Sequence, residues 1–156
     1  MLAWIENSWL GETMRAYQWA FPACEALHFI GLCLLMGAVA IMDLRLLGFG
    51  RSLPIRAVHQ LIPWAWTGFL INLTTGILFF FTQPGFYVPN GAFRVKLVLL
   101  LLAGANALWF QFTVKPSSLT DEFAIPRRVK TMASASLVLW ISVICFGRFI
   151  MYWPPF

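Results

Sequence analysis

The stretch PACEALHFIGLCLLMGAVAIMDLRLLG, residues 22–48, decides how the chain is read. A helix of this length would extend about 40 Å, more than the ~30 Å hydrocarbon core of a bilayer. It has to tilt or project into the headgroups. Pro22 suits a first-turn position and Gly48 the exit. Yet the stretch carries Glu25, His28, Asp43 and Arg45, which a purely structural span does not need.

The rest of the chain repeats the pattern. Of 156 residues, 60% are hydrophobic and 11% charged, against about a quarter charged in a soluble domain. Further apolar runs cover residues 61–82, 92–114 and 131–152, so the expected fold is all-α, a single transmembrane domain over 1–156 built as an integral membrane four-helix up-down bundle. Residues 2–19 lack the basic start, continuous apolar run and small-x-small site of a secretion signal. Their mixed pattern, with Glu6, Glu12 and Arg15 between apolar residues, predicts a helix lying in the interface.

The net charge of +5 is sorted by loop and does not form a nucleic-acid patch. Arg45, Arg51, Arg56, Lys115, Arg127, Arg128 and Lys130, seven of the eleven basic residues, fall at two connections on one side. The positive-inside rule makes that side cytoplasmic and both termini periplasmic, in a bacterial inner membrane. Trp4, Trp9, Trp19 and Trp153 then mark the outer interface, and Trp64 and Trp66 the inner one. Cys24, Cys33 and Cys145 form no Cys-x-x-Cys pair and read as small apolar residues.

This orientation gives each polar residue a depth. Glu25 and His28 share the outer level with Arg94, Lys96 and Arg148; Asp43, Arg45, His59, Ser134 and Ser136 share the inner one. Asn72, Thr74, Thr75 and Asn106 lie between and are candidates for hydrogen bonds between helices. Glu25 and Asp43 are 18 positions apart and project the same way, about 27 Å apart along the axis, with His28 about 60° away and Met36 near the same stripe. Arg45, Arg94 and Arg148 can also be read as side chains snorkelling to headgroups, and an Arg148–Glu25 pair as a register lock.

His28 is the candidate ligand. An imidazole two turns into a span suits a b-type haem, with Lys96 and Arg148 for the propionates and Glu25 to orient the ring or handle a proton. His59 is too far along the chain to share one iron with His28. With Asp43 and Arg45 it forms a second candidate site, for another haem or a proton path. Copper is the alternative cofactor, since His, Met and Cys are all present, although scattered. The two acids within the spans sit at opposite ends, which argues against a di-iron site.

Two stretches, FPACEALHFIGLCLLMGAVAIMDLRLLGFG (21–50) and FRVKLVLLLLAGANALWF (93–110), resemble an uncharacterised family of small four-helix bacterial membrane proteins. LIPWAWTGFLINLTTGILFF (61–80) and LVLWISVICFGRFI (137–150) extend the resemblance over nearly the whole chain. More distantly, the pattern is similar to the membrane domain of copper-resistance protein D and to the four-helix, haem-containing membrane protoporphyrinogen oxidase. The second resemblance implies haem on His28 and a functional role for Lys96. This chain differs in having ANALWF (105–110) where the oxidase carries a further histidine.

The expected function is haem-b-based electron transfer between the quinone pool and an outer-side redox partner, as an oligomer or a subunit of a larger complex. The alternatives are copper transfer with a periplasmic copper carrier, and a structural subunit without a cofactor.

Overall fold

The computed structural model of the chain describes residues 3–50, 52–114 and 125–153. Arg51, Lys115, the rest of the polar loop to residue 124, and the closing prolines lie outside the described residues. Eight helices follow in order: α1 (Ala3–Glu6), α2 (Trp9–Ala16), α3 (Ala20–Leu47), α4 (Ile55–His59), α5 (Ile62–Thr82), α6 (Pro84–Tyr87), α7 (Gly91–Thr113) and α8 (Arg127–Phe149). Four helical stretches, Ala20–Leu47, Ile55–Thr82, Gly91–Thr113 and Arg127–Phe149, are long and apolar enough to cross a membrane.

α3 starts two residues before Pro22, because a proline in the first turn forfeits only an N–H that has no intrahelical acceptor. It ends where the sequence says it should. Gly48 takes φ 103° and donates to the Arg45 carbonyl, while the Phe49 N–H reaches the Leu44 carbonyl. This left-handed stop satisfies carbonyls the helix leaves open and is cheap only for glycine. The expected N-terminal helix is two pieces. Ser8 caps α2 by accepting from the Gly11 N–H and so separates it from α1.

α3 packs along α5 on one side and α8 on the other, and α7 packs along α8. Neighbours run antiparallel. Near its start α3 meets the end of α5 through His28 and Thr75. Asn90, just before α7, donates to the Ile150 carbonyl beyond α8, and Asn106, late in α7, donates to Met132, early in α8. The α3–α5 crossing is held close by two glycines. A Cβ on Gly68 would lie 2.5 Å from the Leu35 nitrogen and 2.6 Å from the Gly31 carbonyl oxygen. Small residues at such crossings let backbones approach where lipid removes the hydrophobic driving force.

The core joins all four long helices. Leu35 and Val39 of α3, Ala103 of α7, and Trp140 and Val143 of α8 are buried together, with Ala65 and Phe69 of α5 against them. A second cluster nearer the end of α3 contains Leu46, Val129 and Ala133. α2 docks on the end of α5, where Arg15 donates to the Thr82 carbonyl and to the Glu6 carbonyl. A cation there complements the carbonyl-rich end of α5. Trp4, Trp9, Tyr17 and Trp19 stay exposed around it.

Candidate functional site

His28 is half-buried on α3, facing α5. Its Nδ1 lies 2.7 Å from the Thr75 hydroxyl oxygen. The Ile71 carbonyl oxygen, also 2.7 Å from Thr75 Oγ1, is an acceptor for that hydroxyl within α5. When the hydroxyl donates there, its oxygen accepts from the His28 Nδ1–H and the Nε2 lone pair is open to a ligand. This is the arrangement in which a second hydrogen bond fixes the tautomer and orientation of a ligating histidine.

Aromatic rings surround this end. Phe79 lies 5.5 Å from the His28 ring, centre to centre, and 5.2 Å from Phe21. Phe80 of α5 stacks on Phe93 of α7 at 6.0 Å, and Tyr87 of α6 lies 5.3 Å from Phe93. These contacts bridge the start of α7 to the end of α5. The Tyr87 hydroxyl is raised from its ordinary value of 10.0, first by burial, then by the Cys24 and Glu25 charges beside it.

The sequence-based candidates divide accordingly. Lys96 lies within electrostatic reach of His28. Its stem runs across α8 at Gly147, where a Cβ would stand 3.5 Å from Nζ. Glu25 is exposed and sits near Tyr87; the side chain that positions His28 is Thr75. Arg148 turns to its own helix end, donating to the Tyr152 hydroxyl at 3.1 Å with its guanidinium over that ring. Arg94 is exposed and donates to the Val88 carbonyl. The structure thus brings His28 and Lys96 together and leaves Arg148 outside.

At the opposite end, Asp43 and Arg45 are 3% and 2% exposed. Arg45 Nε donates to the Leu53 carbonyl at 2.7 Å, tying the end of α3 to the following turn. Ser136 of α8 is within hydrogen-bonding range of the Asp43 carboxyl. His59 is half-buried and lines a crevice with Met42, Arg45, Leu46, Ile55, Val58 and Phe110. His28 and His59 belong to opposite ends and share no site. Of the four polar residues expected to link helices, Thr75 and Asn106 do, whereas Thr74 and Asn72 donate within α5.

Among the described residues, no three of His, Cys, Asp or Glu come together as a metal-ligand set. Tyr87 was not singled out from the sequence, because it sits in a short turn helix with no periodicity to point at it.

No curated protein and no solved structure matches the chain, so the distant likenesses to the copper-resistance membrane domain and to the haem-containing oxidase find no support there. A family model does match, over residues 1–153. The chain belongs to the family of unknown function DUF6644.

Proposed function

We propose that this protein is an up-down four-helix bundle of the bacterial inner membrane, with periplasmic termini, that binds haem b and transfers electrons between the quinone pool and an outer-side redox partner. The observation that carries the reading is the His28–Thr75 hydrogen bond, which presents Nε2 as the free nitrogen. A haem held there would supply one-electron chemistry.

Thr75 would hold the His28 imidazole in place toward that group. Lys96 offers a positive charge to a propionate at the same level. Phe79, Phe80 and Phe93 supply apolar walls. Arg148 would first have to leave Tyr152 to act as a second partner for a propionate. Glu25, exposed beside Tyr87, is placed to exchange a proton with the outer side. His28 is the one imidazole at this end of the bundle, and any further ligand to that group would have to come from another residue type, a second copy or another subunit.

Copper transfer has no comparable observation behind it. The test is the visible spectrum of protein purified in mild detergent from cells with ample haem, oxidised and dithionite-reduced. The reading expects a Soret band with α and β bands that sharpen on reduction. A featureless spectrum would remove it, and metal analysis of the same sample would then decide between copper handling and a structural subunit.

A further inference from the structure

Asp43 has a place in the fold that packing does not explain. It lies one turn from the end of α3, where the helix presents its carbonyls, so the backbone offers a carboxylate no compensation. It is 3% exposed, and its Oδ2 is buried with no hydrogen-bond partner among the described residues. An asparagine or serine of similar size would avoid burying an acid in this position. Leaving such an oxygen unpartnered costs on the order of several kcal/mol when it is charged.

Among the described residues, the groups around it are few. α5 carries no titratable residue over its whole length. α8 offers the Ser136 hydroxyl at the carboxyl; its Arg127, Arg128 and Lys130 lie more than a turn nearer its start, with Arg128 over the Trp109 ring. α4 offers Arg56, which is exposed, and His59. Arg45, on the same helix, is drawn to the Leu53 carbonyl. A metal cation would require several oxygen ligands, and no such set is gathered among the described residues. A proton requires one lone pair, which Oδ2 has.

A crevice at this end is lined by Met42, next to Asp43 in the chain, by Arg45 two residues beyond it, and by His59. His59 closes α4 and is half-buried at this crevice.

We propose that Asp43 is an intramembrane proton-exchange site, loaded through the His59 crevice from the side on which α3 ends. Hydronium or the His59 imidazolium gives its proton to Oδ2, leaving water or neutral imidazole, and the reverse step releases it. The site stands on its own geometry and does not depend on haem.

Infrared difference spectroscopy of the full chain in lipid bilayers, titrated between acid and alkaline pH, tests this. The expected result is a carboxylic-acid C=O band that appears on acidification and disappears on alkalinisation, and that shifts in D2O. It should also shift when the wild-type protein carries 13C-labelled aspartate, which identifies it without any substitution. Asp43→Asn should remove it, and Asp121→Asn and Glu25→Gln should leave it. His59→Ala should slow its exchange in D2O without deleting it. Absence of an aspartate acid band would overturn the proposal. So would a band present at every pH that never exchanges, or one that survives Asp43→Asn.

Discussion

The ring of His28 and the hydroxyl of Thr75, 47 residues apart in the chain, meet at 2.7 Å across the α3–α5 interface, with the Ile71 carbonyl at the same distance from that hydroxyl. One consequence is immediate. Thr75→Val keeps the shape, removes the acceptor and leaves the ring N–H unpartnered, which costs about 1–3 kcal/mol. Thermal unfolding in detergent should fall accordingly, and the haem content per chain with it. Thr75→Ser should restore both. Equal behaviour of the Val and Ser variants would mean that the hydrogen bond positions nothing.

A second expectation concerns the crossing below that contact. Gly68→Ala places a methyl 2.5 Å from backbone of α3, and backbone cannot swing aside as a side chain can. The helix-propensity gain of about 1 kcal/mol from Gly to Ala is outweighed by overpacking of about 1–3 kcal/mol or more. Gly76→Ala and Gly37→Ala meet nothing within 4 Å and should be neutral or slightly stabilising. Denaturant unfolding of the three variants side by side would show whether the order holds.

Asn90 makes a sharper test of a hydrogen-bond donor. It is 0% exposed; its Oδ1 caps α7 at the Phe93 N–H, while its Nδ2 donates to the Ile150 carbonyl beyond α8. Asn90→Asp keeps the cap and replaces the donor with an oxygen facing a carbonyl. It should therefore destabilise at least as much as Asn90→Ala, by about 2 kcal/mol or more. An Asp variant as stable as wild type would show that the cap alone matters.

Tyr87 governs the alkaline limit. Its folded-state value is raised above 10.0 by burial and by the Cys24 and Glu25 charges. Its contribution to stability is therefore complete below about pH 10 and is lost as pH rises through the folded value. Stability measured against pH should fall in that alkaline window, and Tyr87→Phe should flatten the fall. Glu25→Gln should bring the spectroscopic phenol titration down only part of the way, since burial is the larger cause.

How much of this was visible in the chain itself depends on the range of the forces involved. The four long helices follow from composition and length, and the exit of α3 from Gly48, because these are local matters. The phase of one helix against another is not local. It is set by the Gly31–Gly68 approach, which packs Asn72 against Gly31 and selects Thr75 rather than Thr74 to hydrogen-bond α3. Arg148 turns to its own helix end, because Tyr152 offers an acceptor and a ring one helical turn on. Glu25 was paired with His28 by spacing along one helix, whereas the partner came from another.

The most direct test of the account is the reduced-minus-oxidised visible spectrum of His28→Ala recorded beside wild type and His59→Ala, all produced with ample haem. The account predicts the haem bands in wild type and His59→Ala and their loss in His28→Ala. Bands that persist unchanged in folded His28→Ala protein would contradict it.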